Sequence, residues 1–198
     1  SPEGNALPSD GVGAFAKEIM RFNPLLPCED NGRLNDPLIR ENFVARIYAY
    51  KHWQNLESSG LTKHKLTVFH SQYKYTLMSH DLVAYKKLGQ LLADGSLSLE
   101  KMAQMYISGL MQALKIIATR KKHANTLAHI QGYFSKHLQA NERQELCQQI
   151  DAYRNGLTPL IAPLTLLKHH LLQHPKEYLS KQAYLSPYPE QLKLRYAY

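Results

Sequence analysis

The sequence predicts an all-α protein, a single bundle of about seven to eight helices with irregular N- and C-terminal segments. Apolar residues recur every three or four positions through most of the chain, and no alternating strand pattern extends beyond a few residues. Glycine, proline and capping residues interrupt this periodicity where helices are expected to end. The 198 residues are enough for one such core and too few for two large ones.

Four helices are predicted in the first half of the chain, after a turn-rich N-terminus. Asp36 is a suitable N-cap for a helix that has Pro37 in its first position, and Thr62 is a suitable N-cap for the next. Gly60 ends the helix between them. The predicted spans are residues 14–22, 37–58, 63 to about 80, and about 81–93.

The second half is predicted to begin with one long helix, from Ser98 to about Arg120. Three further features follow: an inward-facing stripe of Leu127, Ile130, Phe134 and Leu138, a helix begun by a capping box of Asn141 and Gln144, and a last helix that ends before Pro175. The tyrosine-rich segment beyond Pro175 is expected to pack over the bundle as irregular chain.

The positive charge is concentrated in the middle of the sequence. The formal net charge is +8, and residues 61–140 contain 11 basic against 3 acidic residues. Such a field raises the local concentration of phosphates and other polyanions, so we expect RNA, a nucleotide or another anion as partner. The alternative is an ordinary solvated surface on which lysines cluster.

Several residues of this basic region are candidates for nucleotide or RNA binding. On the helix that follows Thr62, Lys63, His70 and Lys74 share one flank of the apolar stripe, and His80 lies at its end. Interleaved tyrosines suit base stacking, although at helical spacing we expect at least three of these five to be core residues. The five are Tyr73, Tyr75, Tyr85, Tyr106 and Tyr133.

Two further groups complete the candidate binding residues. The Arg120, Lys121 and Lys122 triplet is expected to close the long helix, where cations favour the carbonyl end of the dipole, or to bind phosphate. We hold the two alternatives equal. His129, Tyr133 and Lys136 fall on a polar flank of the following segment.

Motifs of known catalysis are absent from the sequence. Residues 11–16 match a dinucleotide fingerprint, but no strand precedes them. There is no phosphate-binding GxxxxGK[ST] loop, GxSxG elbow or HExxH zinc motif. His170 and His174 have metal-ligand spacing without a third ligand, so we interpret them as a surface pair and expect no metal.

The cysteines and the hydropathy pattern favour a cytoplasmic protein. Only Cys28 and Cys147 occur, which excludes a disulfide framework, and we expect Cys147 to be buried. No stretch of about 18 apolar residues and no secretion-signal pattern are present, so no membrane partner is expected. The opening Ser1-Pro2-Glu3-Gly4, without Met, suggests a fragment of a longer protein.

Several phrases in one order over about residues 44–190 resemble the YbgA-like domain, a domain of unknown function. They are Phe69–Lys74, His129–Phe134, Ile150–Arg154, Pro159–Leu164 and Leu179–Gln182. The segments Gly11–Ala16, Gly32–Asp36 and Arg40–Phe43 resemble the C-terminal end of a thiouracil-desulfurase-like domain. The resemblance divides the chain into a desulfurase-like remnant at 1–43 and a helical domain at 44–198.

The resemblance implies what this chain lacks as well as what it contains. Desulfurases of that kind carry an iron–sulfur cluster on three cysteines that would lie upstream of Ser1, so no cofactor is expected here. The intact protein would remove sulfur from a thiolated base or nucleotide. The helical domain would then have its own desulfurase-like domain as a partner, and tRNA or a thiolated nucleotide as a possible ligand.

Three functions therefore remain open. The leading hypothesis is a non-catalytic accessory module that binds nucleotide or RNA through a basic surface. The second is a structural or interaction domain without nucleic-acid affinity. The third is an enzyme that uses His70, Lys74 and His129, which requires the three groups to meet in one pocket. The sequence leaves the oligomeric state undetermined.

Overall fold

The computed structural model describes residues 13–196 and confirms the all-α class, with no strand in that range. Its helices are α1 (Ala14–Phe22), α2 (Pro37–Ser58), α3 (Lys63–His80), α4 (Leu82–Ala93), α5 (Leu99–Lys115), α6 (Arg120–Gln131), α7 (Ala140–Arg154), α8 (Ile161–Gln173) and α9 (Glu177–Ser180). Short 3-10 turns occur at Arg33–Asn35, Gly132–Phe134, Glu190–Leu192 and Leu194–Tyr196. No helix within the described range is long and apolar enough to cross a membrane.

Helix α3 separates two apolar cores and contributes to both. Its residues Leu66, Phe69 and Leu77 pack into a first core with α2, α4 and α5. Its residues Tyr75 and Met78 pack into a second core with α6, α7, α8 and the C-terminal segment. The second half of α3, from Tyr75 to His80, is buried on every side. An α-helix buried all round loses the polar face of an ordinary surface helix.

The predicted caps and tyrosine burial are largely confirmed. Asp36 and Thr62 accept hydrogen bonds from the first turns of α2 and α3 as expected. Three of the five candidate stacking tyrosines, Tyr73, Tyr75 and Tyr106, are core residues. The apolar stripe from Leu127 to Leu138 is buried, although the helix under it ends at Gln131 and continues as a 3-10 turn.

The prediction of one helix from Ser98 to Arg120 was wrong. Helix α5 ends at Lys115, and Ile116 and Thr119 have extended backbones. The Thr119 hydroxyl accepts the N–H of Lys122 and so begins a new helix. Arg120, Lys121 and Lys122 therefore occupy the first turn of α6 rather than the last turn of α5, and they do not cap a helix C-terminus.

Three smaller expectations also need correction. The capping box that opens α7 pairs Gln139 with Glu142, instead of Asn141 with Gln144. Cys147 is exposed rather than buried, because it lies on the solvent side of α7. His170 is not a surface residue: it lies in the second core near Phe134 and is 3% exposed.

The residues after α9 and those before α1 were also covered by the predictions from sequence. The residues after α9 pack irregularly over the bundle as expected, with Tyr184, Leu185 and Tyr188 buried. In the N-terminal fingerprint, Gly11 and Val12 lie outside the described residues, and Gly13 leads directly into α1. The expected domain boundary after residue 43 falls within α2, and it stays a prediction.

Replacing His170 with leucine should stabilise the fold. Both ring nitrogens of His170 are buried without a hydrogen-bond partner in the described protein, and an unpaired buried polar group costs about 1–3 kcal/mol. We expect His170→Leu to raise the free energy of unfolding by about 1–2 kcal/mol, measured by urea denaturation. His169→Leu, on the same helix but exposed, is the matched control and should change little. A loss of stability in His170→Leu would contradict the interpretation.

Candidate anion-binding site

A cavity of about 320 Å³ opens where α2, the α5–α6 connection, α7 and the C-terminal segment meet. Its polar lining includes Glu41, His80, Arg120, His123, Tyr153 and Arg195. Leu38, Ile117 and Leu160 supply apolar walls. We refer to this space as the cationic cavity, because the described residues contribute two guanidinium groups and one carboxylate to its lining.

Arg195 is held in the wall of the cavity by fixed partners. Its Nε donates to Glu41 Oε1 at 3.1 Å, and one terminal nitrogen donates to the Tyr184 carbonyl oxygen at 2.7 Å. Tyr188 donates its hydroxyl to the same Glu41 oxygen at 2.8 Å. Burial is the largest single influence and acts to lower the pKa of Arg195, but Glu41, Tyr188 and Tyr184 together act in the opposite direction, so the pKa of Arg195 is raised. The guanidinium is therefore charged at any physiological pH.

Arg120 is anchored in the cavity wall by the end of α7 and the residues that follow it. Its Nη1 donates to the carbonyl oxygens of Tyr153 and Thr158, at 3.1 and 3.3 Å, and its guanidinium lies 5.1 Å from the centre of the Tyr153 ring. Burial raises the pKa of Tyr153 to about 12, although nearby Arg120 and Arg195 act in the opposite direction. An arginine anchored at one nitrogen keeps its other N–H groups for a ligand.

His80 is fixed at the junction of α3 with the α5–α6 connection. Its Nδ1 lies 2.6 Å from the carbonyl oxygen of Ile116, and Lys122 donates to the His80 carbonyl at 2.6 Å. Burial lowers the pKa of His80, and Arg195 and Lys122 lower it further, against raising effects of the Ile116 hydrogen bond and Glu41. The ring is consequently neutral at pH 7.

His123 is the second histidine of the cavity. Its Nδ1 lies 2.9 Å from the hydroxyl of Tyr184, which is itself buried. Burial, followed by the charges of Arg195, His80 and Arg120, places the pKa of His123 well below its ordinary value. The two histidines are therefore neutral hydrogen-bonding groups, and they add no positive charge to the site.

The start of α6 adds to the positive potential of the cavity. The first turn of this helix contains three basic residues and no acidic one, at the end where the helix dipole is itself positive. Arg120, Lys121 and Lys122 thus occupy positions where a helix ordinarily favours carboxylates. A bound anion would offset the repulsion between these basic side chains and the positive end of the helix dipole, and it would also accept hydrogen bonds from arginine. The chemistry of the cavity therefore fits phosphate or carboxylate.

The structure brings only part of the predicted site together. His80 and Arg120 line the cavity. Lys122 is not part of its lining but donates to the His80 carbonyl oxygen, and Lys121 is exposed on the same turn of α6. The remaining candidates lie outside this cavity: Lys63, His70, Lys74, His129, Tyr133 and Lys136.

These outlying candidates have other neighbours. His70 lies 3.2 Å from the Tyr106 hydroxyl and stacks on Tyr85, and burial followed by the charge of Lys74 lowers the pKa of His70. Lys74 lies over the ring of buried Tyr75, and half-exposed Tyr133 stacks on Tyr178. Lys63, His129 and Lys136 are exposed on the surface.

Sequence reasoning missed the partners that complete the cavity. Glu41, His123, Tyr153 and Arg195 come from α2, α6, α7 and the C-terminal segment. Their separation in sequence leaves no spacing pattern, so only the fold reveals them. The basic first turn of α6 was the available signal, once Thr119 is taken as an N-cap. In the described residues no cluster of three or more histidine, cysteine or acidic side chains could hold a metal ion.

Fold and cavity define an all-helical domain with an internal cationic site, and comparison with known proteins gives its family. Residues 74–189 match the family described as "Protein of unknown function (DUF1722)". The chain is 35% identical over 159 residues to the "Uncharacterized protein YbgA" of Escherichia coli (strain K12), a match covering 79% of this chain and 94% of that protein. This chain belongs to the DUF1722 family, and the resemblance to the YbgA-like domain is confirmed. No solved structure matches.

The two cavity histidines should make the stability of the fold depend on pH. The pKa values of His80 and His123 in the folded protein lie below the value of 6.5 that histidine has in an unfolded chain. As pH falls, the unfolded chain therefore binds more protons than the folded protein does. The stability that the two neutral histidines contribute should be fully present above about pH 7. It should be lost as pH falls through 6.5, with the free energy of unfolding decreasing by up to about 1.4 kcal/mol per pH unit for each histidine.

Urea denaturation at several pH values between about 5 and 8 measures this dependence. The double variant His80→Gln and His123→Gln should have a flatter profile than the unaltered chain, whereas exposed His129→Gln should leave the profile unchanged. Equal slopes in all three proteins would contradict the assignment.

Proposed function

We propose that this chain is an accessory domain that binds a phosphate-bearing ligand, a nucleotide or an RNA end, in the cationic cavity. One observation carries the proposal: Arg120 and Arg195, from distant parts of the sequence, line one cavity, and among the described residues Glu41 is the only carboxylate in its lining. Glu41 is already paired with Arg195, so the charge of Arg120 is left for a ligand. The basic first turn of α6 supports the same ligand class.

The size of the cavity limits what can enter. A volume of about 320 Å³ is at the small end of ligand sites in proteins and corresponds to a mononucleotide rather than a duplex. An RNA such as tRNA would bind by inserting one terminal or unstacked nucleotide. Exposed Lys121, on the same turn as Arg120, would then meet the adjoining phosphate.

The expected cellular setting follows from the resemblance to thiouracil desulfurases. A thiolated uridine nucleotide is the ligand that would link this domain to desulfuration by its neighbour, whose iron–sulfur cluster would lie upstream. The domain itself would bind without catalysis. Two free cysteines, one of them exposed, agree with the reducing cytoplasm that we propose as its location.

Ligand binding should depend on salt and on Arg120. We expect uridine monophosphate and bulk tRNA to bind at low ionic strength and to weaken as salt rises, because phosphate contacts release counterions. Arg120→Gln should weaken binding about tenfold or more, since it removes a charge-assisted hydrogen bond. Titration calorimetry with uridine monophosphate, 4-thiouridine monophosphate and tRNA measures these affinities, and tighter binding of the thio form would connect the site to desulfuration.

Arg154→Gln is the matched control, because Arg154 is an exposed arginine of α7 that forms an ion pair with Asp151 on its own helix. Because Arg120 also donates to two backbone carbonyl groups, its replacement could disturb the fold, and circular dichroism tests whether Arg120→Gln is folded. Should that variant unfold, the salt dependence and competition by inorganic phosphate in the unaltered chain still decide the matter. Absence of binding at low salt, or an equal effect of the two substitutions, would refute the proposal.

Helix α1 favours a second function, docking against the desulfurase-like domain. Phe15, Ile19 and Phe22 fall on one side of α1, yet no residue of this helix is buried, and the two phenylalanines are 80% and 71% exposed. The following residues are anchored, because Leu25 packs against the first core and Pro27 is buried. An apolar helix side held beside the protein surface is typical of an interaction site. We propose the desulfurase-like domain as its occupant, because residues 11–43 resemble the C-terminal end of that domain.

Removing the two aromatic rings of α1 should abolish this docking. We expect a separately produced thiouracil-desulfurase-like domain to associate with this chain, and the double variant Phe15→Ser and Phe22→Ser to weaken association about tenfold or more. Analytical ultracentrifugation of the mixture measures it. Leu172→Ser, which removes an 81% exposed side chain from α8, should have no effect. No association of the unaltered chain would exclude this occupant.

A further inference from the structure

Two side chains that line the cationic cavity donate hydrogen bonds to backbone carbonyl groups at the C-terminal end of α5. Asn42 of α2 donates its amide N–H to the Leu114 carbonyl oxygen at 3.0 Å. His80 of α3 has its Nδ1 2.6 Å from the Ile116 carbonyl oxygen. A carbonyl oxygen only accepts hydrogen bonds, so the hydrogen in each pair belongs to the side chain. The last carbonyl groups of a helix have no partner within the helix, so those at the end of α5 accept hydrogen bonds from side chains instead.

The orientation of each side chain follows from its donation. With the amide nitrogen of Asn42 bound to Leu114, the amide oxygen Oδ1 is left as an acceptor. With the hydrogen of neutral His80 on Nδ1, its Nε2 has a lone pair and no hydrogen. Both residues line the cavity, and neither acceptor atom has a hydrogen-bond donor among the side chains and backbone of residues 13–195.

These two acceptors differ in chemistry from the two arginines of the cavity lining. The guanidinium groups of Arg120 and Arg195 only donate, and they suit the oxygens of a phosphate group. A phosphate dianion also has only acceptors, so it would repel the lone pairs of Asn42 and His80 instead of satisfying them. A ligand that satisfies the whole cavity must therefore carry a hydrogen-bond donor as well as an anionic group.

We propose that Asn42 and His80 form an acceptor subsite that selects phosphate ligands carrying O–H or N–H donors beside the phosphate. This inference rests on the proposed function and names its ligand class more narrowly. A ribonucleotide has such donors in two places, the sugar hydroxyl groups and the N–H groups of the base. A simple phosphate ester or a sulfate ion has none at pH 8, where the phosphate group is fully ionised.

Analogues of uridine monophosphate separate the two sources of donor. Calorimetric titration of the unaltered chain at pH 8 compares uridine monophosphate with its 2′,3′-dideoxy form, its N3-methyl form and methyl phosphate. The 5-methyl form is the matched control for the N3-methyl form, because it adds the same bulk without removing a donor. We expect loss of the recognised donor, from the sugar or from the base, to weaken binding about tenfold. The 5-methyl form should bind like uridine monophosphate.

Variants then connect the ligand donor to the protein acceptor. In His80→Leu the penalty for removing the ligand donor should shrink, because the acceptor lone pair is gone. His70→Leu, a partly buried histidine of the same helix outside the cavity, should keep the full penalty. The analogue comparison needs no variant, so a folding defect in His80→Leu would not prevent the decision.

The outcomes distinguish this inference from the function on which it rests. Equal affinities for uridine monophosphate and both donor-deficient analogues would overturn the acceptor subsite and leave phosphate binding intact. Failure of every probe to bind would overturn both. A penalty that persists unchanged in His80→Leu would also refute the role of His80.

Discussion

Helix α3 is buried between the two cores and joins the two groups of helices into one body. Leu66, Phe69 and Leu77 belong to the first core, whereas Tyr75 and Met78 belong to the second. A rigid helix in this position fixes both groups of helices relative to each other, because close-packed interiors resist displacement. It also delivers its last residue, His80, to the place where the two groups meet. The cationic cavity is thus a product of how the cores are joined.

The early end of α5 has a comparable influence on chemistry. Four residues of connection, from Ile116 to Thr119, replace what could have been another helical turn. The break leaves backbone carbonyls that Asn42 and His80 must satisfy, and it starts α6 with three basic residues in its first turn. Local rules of helix stability are broken at this point, which is common where a protein holds a ligand.

Local patterns in the sequence predicted much of the fold and little of the site. The caps at Asp36 and Thr62 and the burial of Tyr73, Tyr75 and Tyr106 follow from residue type and helical spacing. The break at Ile116 was missed because apolar periodicity continues across it. Thr119 did not reveal the break either, because threonine occurs inside helices as well as at N-caps. Arg195 could not be foreseen, since its partner Glu41 is 154 positions away and no spacing rule joins them.

The position of Arg195 has a consequence for the order in which the protein matures. Every helix of both cores precedes this residue in the sequence, so those helices leave the ribosome before the residue that completes the cavity. In the folded protein Arg195 also depends on the segment just before it, since Tyr184 supplies its carbonyl acceptor and Tyr188 donates to the same Glu41 oxygen. A nascent chain that ends before Arg195 therefore contains every helix of both cores but lacks one residue of the cavity lining. The helical scaffold and the complete lining of the cavity are thus synthesised at different times.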